Sequence, residues 1–154
     1  MQQQLIKFKN FLTFGSLFSV LAVGSSQCSA QQNNKPCFEV SDLNVISLTG
    51  TLSIQLFPGI PNFQSIAAGD EEERTFILEL NEKICIRDKE GFADPNHKFF
   101  TVHLKAQGQL RKILDASETQ SLEVKGIGYP SHTGHHHAPL VLDVNDITVL
   151  KARN

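Results

Sequence analysis

Alternation of apolar and polar residues predicts several strands along the chain. The clearest case is NVISLTGTLSIQLF, residues 44–57, in which every second side chain is apolar. The side chains that this pattern turns inward are Ile46, Leu48, Leu52, Ile54 and Leu56. Gly50 interrupts the same apolar face. A glycine inside a strand is typical of a sharp bend, so it predicts the point where this strand turns the corner of a barrel.

Two more strands are predicted before residue 107. RTFILELNEKICI, residues 74–86, alternates as far as Asn81 and then changes phase, which indicates one bent strand or two short ones. KFFTVHLKA, residues 98–106, alternates again and turns His103 away from the core. The inward side chains predicted for these two segments are Phe76, Leu78, Leu80, Phe100, Val102 and Leu104.

The last third of the chain predicts a short helix followed by two strands. GQLRKILDA, residues 108–116, has apolar residues at the i, i+3, i+4 spacing of an amphipathic helix. QSLEVKGIGY and PLVLDVNDITVLK, residues 120–129 and 139–151, return to alternation. The apolar residues concerned are Leu110, Ile113, Leu114, Leu122, Val124, Leu140, Leu142 and Val144.

The order of these elements indicates the fold class. Three strands, a helix and two strands is the order of an OB-like, five-stranded Greek-key barrel, so we expect an all-β domain with one short helix. A β-sandwich of this length would have about seven strands and no helix.

The N-terminal region has the three parts of a secretory signal peptide. A polar segment with Lys7 and Lys9 precedes a continuous apolar run, residues 11–23, which is shorter than the about 20 residues needed to span a bilayer. Small residues follow up to Ala30. We therefore predict a cleaved signal over 1–30, a flexible leader over 31–36 and an OB-like domain over 37–154 in a periplasmic or secreted protein. Gln27 argues against lipid modification of the next residue, Cys28.

Charge and cysteine content agree with export. Removing residues 1–30 removes two lysines and no acidic residue, so the formal net charge of −2 becomes −4. An acidic domain is a poor partner for nucleic acid or anionic membrane surfaces. Two of the three cysteines remain, Cys37 and Cys85, and an oxidising compartment favours a disulfide between them. Two separately buried thiols are the alternative.

Two unusual loops fall where OB barrels bind their ligands. The acidic loop, PGIPNFQSIAAGDEEE, residues 58–73, follows the first predicted strand. The histidine loop, PSHTGHHHAP, residues 130–139, connects the fourth and fifth. Because these two connections flank the usual OB ligand face, we expect both loops to border a binding site.

The histidine loop also suggests a metal site for Zn²⁺ or Cu²⁺. Neutral imidazole is the commonest metal ligand near neutral pH, and His132, His135 and His137 are spaced to share one ion. Asp70, or one of the glutamates 71–73, would add a carboxylate if the two loops meet. No HExxH or paired CxxC motif specifies a metal, so a solvated loop or one braced by its own imidazoles is the alternative.

Neither catalysis nor oligonucleotide binding has a clear signature. Ser131 precedes His132, but no GxSxG elbow is present, and sequence adjacency does not make a nucleophile–base pair. The absence of tryptophan, the single tyrosine and the acidic charge leave little surface on which bases could stack. We therefore expect a non-enzymatic protein.

The combination of FPGIPN, GDEEE and TGHHH, together with LTGTL and VKGIGYPSH, resembles a bacterial exported family known as domain of unknown function 4431. The resemblance extends from Cys37 to about Leu150 and implies a secreted or periplasmic domain that keeps both loops and usually both cysteines. It implies no activity. The interpretation is a binding or accessory module for a small ligand or an envelope protein, with metal binding and protein-directed inhibition of an envelope enzyme as alternatives.

Overall fold

The structure of the protein is a computed structural model that describes residues 37–151. The predicted signal peptide, the leader and Cys28 lie outside the described residues. Within this part of the chain, no helix is long and apolar enough to cross a membrane.

Strands dominate residues 37–151, which also contain one α-helix and one short 3-10 turn, Ile66–Ala68, in the acidic loop. The helix α1 spans Gly108–Asp115. The strands are β1 Phe38–Glu39, β2 Val45–Pro58, β3 Glu72–Ile84, β4 Ile86–Arg87, β5 Phe99–Lys105, β6 Ser121–Pro130 and β7 Leu140–Val149.

Five of these strands close a barrel in the order β2–β3–β5–β7–β6, and β6 pairs back with β2. β5 and β7 are parallel, and the other barrel pairs are antiparallel. With α1 between β5 and β6, this is the OB-like Greek-key barrel that the order of elements predicted.

Gly50 lies at the barrel corner, as the sequence predicted. From Val45 to Thr51 strand β2 pairs with β6, and from Gly50 to Pro58 it pairs with β3, so the strand changes partners at this glycine. A Cβ atom on Gly50 would overlap the carbonyl oxygen of Glu79 on the neighbouring strand. The close backbone approach is therefore the physical reason for glycine at this position.

The alternating apolar residues of the five strands fill the barrel, and Leu114 of α1 packs on the same core. Two predicted core residues were wrong. Leu56 is 56% exposed, because β2 extends beyond the barrel layer there, and Phe100 is 48% exposed. Phe99 is buried in place of Phe100, because the β3–β5 register shifts between Glu79 and Ile84, and Ile84 then pairs with Phe99.

The outer face of the barrel is covered near β3, β5 and β7. Ile77, His103 and Val141 form one row across these strands, and all three point away from the barrel interior yet are buried. Alternation alone predicts solvent exposure at these positions. Their burial shows that another part of the chain packs on this face.

The predicted disulfide between Cys37 and Cys85 is confirmed. It lies next to a small parallel pair, in which Phe38 and Glu39 of β1 align with Ile86 and Arg87 of β4. The disulfide and the pair attach the start of the described chain to the segment that follows β3.

Candidate functional site

The histidine loop packs on the outer face of the barrel. Its two ends are joined by the backbone bond from the Ser131 amide to the Pro139 carbonyl, and the His136 amide bonds the Thr133 carbonyl to tighten the turn. Ala138 is buried, and the imidazoles that precede it reach down to the strands. The loop therefore supplies the cover over His103 and its neighbours.

His137 is the deepest side chain of the loop, with 8% of its side-chain surface exposed. Its ring stacks on Phe57 with centroids 4.1 Å apart and lies 5.8 Å from the ring of His103. Within the described residues its Nε2 atom is buried and makes no hydrogen bond, although Glu73 Oε2 is 3.4 Å away. A buried nitrogen without a partner is costly unless it carries a proton shared with the carboxylate or meets a bound group.

Glu73 connects the histidine loop to the barrel. This residue pairs with Phe57 in the β2–β3 ladder, and its Oε2 lies 2.9 Å from His135 Nδ1 as well as near His137. Glu72 and Glu73 belong to strand β3, so the acidic loop ends before residue 73, where the sequence had placed its end. The predicted meeting of imidazoles and a carboxylate thus occurs at Glu73.

The acidic loop meets the histidine loop through Phe63. The ring of Phe63 stands edge-on to His135 with centroids 4.7 Å apart, and a Cβ atom on Gly134 would come within 3.0 Å of it. Phe63 has a φ of 56°, a left-handed conformation that is uncommon for a bulky residue. Contacts within its loop must therefore hold it there.

Asp70 supplies those contacts through hydrogen bonds to residues of its own loop. Its Oδ1 accepts hydrogen bonds from the backbone and side-chain amides of Asn62, and its Oδ2 accepts bonds from the backbone amides of Gln64 and Ser65. These bonds, those from Ser65 and Gln64 first, lower the pKa of Asp70 to about 2. The predicted metal ligand Asp70 is thus placed as a loop brace.

His132 and His136 form a second, separate pair. Their rings meet edge to face at 4.6 Å, and His136 Nδ1 accepts a hydrogen bond from the His132 amide at 3.1 Å. Both rings also lie beside Tyr129. The four loop histidines are therefore split between two places, and within residues 37–151 no three His, Cys, Asp or Glu side chains are arranged to hold a metal ion.

His103 belongs to the site, although the sequence predicted only that it turns away from the core. The side chain is 7% exposed, and its Nδ1 accepts a hydrogen bond from the His137 amide at 3.4 Å.

Burial, followed by the charges of His137 and His136, lowers the pKa of His103 to about 4. Burial also lowers the pKa of His136. Both rings accept from backbone amides on Nδ1, so the packed loop contains them as neutral imidazoles. The sequence feature that could have identified His103 as a site residue is its place on the outward side of a predicted barrel strand, in a chain with a histidine-rich loop.

A groove of about 780 Å³ opens beside the histidines, between α1, the histidine loop and strands β3, β5 and β7. Its charged lining residues are Glu73, Arg74, Lys105, Arg111 and Asp143, and apolar surface comes from Phe76, Leu104, Leu110 and Val144. His135 and His136 form part of its wall. The groove thus combines apolar surface with both signs of charge.

A family model described as domain of unknown function (DUF4431) matches residues 101–148. This segment is shorter than the region over which the loops suggested a resemblance, and it contains β5, α1, β6, the histidine loop and most of β7. No curated protein matches the chain. Over the segment that builds the groove and the histidine loop, the chain is therefore similar to the domain of unknown function 4431 family.

Proposed function

We propose that the chain is an exported, non-enzymatic binding module that holds its ligand in the groove between α1 and the histidine loop. The observation that supports this proposal most is the groove itself. It has a volume of about 780 Å³ and is bordered by the histidine loop, one of the two connections that flank the OB ligand face. A mixed lining of this kind suits a ligand with a polar group and an apolar part.

The surroundings of Ser131 support binding rather than acyl transfer. Its hydroxyl donates to the backbone oxygen of His136 at 3.4 Å, and the neighbouring His132 directs Nδ1 to the Pro130 carbonyl at 3.0 Å. A serine nucleophile requires its hydroxyl to bond a base that a third group orients. Here both side chains brace the loop instead.

The groove can be tested by filling it. Gln107 lines the groove at the start of α1 and makes no side-chain capping bond, so Gln107→Trp adds bulk without removing a structural contact. Lys112→Trp, on the same helix outside the groove, is the matched control. Amide chemical shifts of ¹⁵N-labelled protein would be followed while fractionated envelope extract from the source cells is added.

We expect extract fractions to shift groove amides of the wild type and the control, and to leave those of Gln107→Trp unchanged. Equal shifts in both variants would contradict the groove as the ligand site. A macromolecular partner would instead broaden resonances across both loops, the outcome expected of a protein-directed inhibitor.

Metal binding by the histidine loop is the second candidate. The observation in its favour is Glu73 Oε2, which lies 2.9 Å from His135 Nδ1 and 3.4 Å from the unbonded Nε2 of His137. Zn²⁺ accepts imidazole and carboxylate ligands, so a small rotation of these side chains could place all three around one ion.

Thermal unfolding in the presence of Zn²⁺ or Cu²⁺ tests whether the histidine loop binds metal. An ion at 100 times its Kd stabilises the native state by about 2.7 kcal/mol, which raises Tm by several degrees. Glu73→Gln and His135→Ala should each remove the rise, whereas His97→Ala, at an exposed position outside the loop, should keep it. No rise in the wild type at excess metal would eliminate metal binding and leave the groove proposal intact.

A further inference from the structure

We propose that the groove selects a small organic anion and that the guanidinium of Arg111 binds its carboxylate or phosphate group. This inference rests on the proposed function and names the chemistry of the ligand. It follows from the cations of the groove, of which Arg74 and Lys105 each have a carboxylate within ion-pair distance, whereas Arg111 has none within residues 37–151.

Each carboxylate at the groove already has a partner. Glu73 contacts His135 at 2.9 Å, and Asp143 lies 3.7 Å from Lys105 Nζ. Lys105 also donates to the hydroxyl of Tyr129 at 3.0 Å, and this bond is the main reason that its pKa is raised. Lys105 thus offsets the charge of Asp143, whereas Glu73 contacts a histidine, which is charged only when it is protonated.

The two arginines differ in their partners. Arg74 donates to Asp115 Oδ1 at 2.6 Å, which neutralises its charge. Arg111 has no carboxylate at ion-pair distance within residues 37–151, and its guanidinium carbon lies 5.7 Å from the centroid of the Phe76 ring. Arg74 lies over the same ring at 5.2 Å. Two guanidinium groups therefore lie against the Phe76 ring, and within the described residues that of Arg111 lacks a carboxylate counter-ion.

Stacking fixes the orientation of a guanidinium but does not use its N–H donors. Because the fork of N–H groups matches a carboxylate or phosphate in two parallel bonds, Arg111 is suited to bind either one.

The rest of the lining selects the body of the ligand. Leu104, Leu110 and Val144 line the groove with apolar surface beside Arg111, and Lys105 adds a second cation. A small organic acid or phosphate ester with an apolar part would place its anionic group on Arg111 and its body on these side chains. Inorganic phosphate would make only the contact with Arg111.

The probes for the test are succinate, inorganic phosphate and the uncharged analogue succinamide, each titrated into ¹⁵N-labelled protein. Amide shifts of groove residues give the affinity. Arg111 is an exposed helix residue, so Arg111→Gln removes the charge with little effect on the core, and Lys112→Gln is the neighbouring control that leaves the groove unchanged. Arg111→Lys keeps the charge but loses the two-bond geometry.

We expect succinate and phosphate to shift groove amides and succinamide not to. Arg111→Gln should weaken the affinity about tenfold or more, as loss of a charge-assisted bond does, and Arg111→Lys should weaken it less. Lys112→Gln should change it less than about twofold, since it removes a charge outside the groove.

Equal affinity in Arg111→Gln and Lys112→Gln would overturn the role of Arg111. Succinate shifts that match those of succinamide would overturn anion selection. Neither result touches the groove proposal, which fails only when Gln107→Trp leaves extract binding unchanged. A response to phosphate without one to succinate would overturn binding of a carboxylate and leave a phosphate group as the anion that Arg111 binds.

Discussion

His103 shows how one outward residue of a strand ties a loop to the barrel. Its ring lies in a row of strand residues, and its Nδ1 accepts the amide of His137 from the loop above. His136 Nδ1 accepts the amide of His132 in the same way. A protonated imidazole cannot accept on either nitrogen, so protonation of each ring removes the bond that this ring accepts.

Lowering the pH should therefore destabilise the packed loop. The pKa of His103 is about 4 in the folded chain and near 6.5 in an unfolded one, so its neutral form is favoured by folding. Above pH 6.5 this contribution is complete. As the pH falls from 6.5 to 4 the unfolded state takes up the proton first, and stability should decrease by on the order of 2 kcal/mol.

Urea unfolding across this pH range, with a chelator present, measures the effect. His103→Gln should flatten the pH dependence over that interval, because it has no ring to titrate. His97→Gln, an exposed histidine away from the loop, serves as the control and should follow the wild type. An unchanged slope in His103→Gln would show that other groups cause the loss.

At the scale of elements, the two loops act as one unit through Phe63 and Gly134. The left-handed Phe63 presents its ring to a glycine that has no Cβ, and any larger side chain at 134 would push against it. Gly134→Val should therefore cost about 1–3 kcal/mol by overpacking.

A double-mutant cycle with Phe63→Ala separates this contact from other effects. With the ring removed, Gly134→Val should cost much less, so the two substitutions should couple by about 1 kcal/mol or more in urea unfolding. Additive costs would mean that the valine acts on the loop backbone and not on the ring.

The strand that contains Gly50 gives a second prediction at this scale. Gly50→Ala places a Cβ atom against the Glu79 carbonyl, backbone that has no freedom to move aside, and should cost about 3 kcal/mol. Thr49→Ala, at the exposed neighbouring position, should cost less than about 1 kcal/mol. Urea unfolding compares the two, and similar losses would exclude the corner as the cause.

Alternation predicted the barrel well because it reports which face of a strand is buried. It placed Leu52, Val102 and Leu142 in the core, and the order of elements gave the topology. It failed at Phe100, where a register shift reverses the faces, since one residue of slip is invisible to local periodicity.

The candidate site was harder to predict, because it depends on contacts between distant segments. The sequence predicted that both loops border one site, and the structure brings Glu73 to His135 across 62 positions. The sequence could not show that the carboxylate of Asp70 accepts hydrogen bonds from amides of its own loop. Nor could it show that His103 lies beneath the histidine loop. Arg111 on the predicted helix carried no pattern that marked it as unpaired.

At the scale of the whole molecule, the disulfide joins the first described residue to the barrel. Cys37 and Cys85 are 48 positions apart, and Phe38 and Val40 form backbone bonds to Cys85 and Arg87 beside the bridge. Val40 belongs to the core. The N-terminal segment, here residues 37–40, is thus attached by the disulfide, the β1–β4 pair and the buried side chain of Val40.

Removing the bridge should lower stability without changing the fold. Closing a loop of this length is worth about 4 kcal/mol in the chain-entropy model, so Cys37→Ala with Cys85→Ala should lose about that much in urea unfolding. The double variant avoids a single unpaired thiol. Val40→Ala, with the bridge intact, is the comparison that measures the buried side chain alone and should cost about 1–2 kcal/mol.

Amide chemical shifts show whether the loss of stability in the double variant comes from the unfolded chain or from a change in the folded binding face. If the bridge acts on the unfolded chain, groove and histidine-loop shifts of the double variant should match those of the wild type, and affinity for succinate should be unchanged. If those shifts move, the disulfide shapes the binding face itself, and the N-terminal segment becomes part of the site. A loss below about 1 kcal/mol would mean that the β1–β4 pair and Val40 hold the segment unaided.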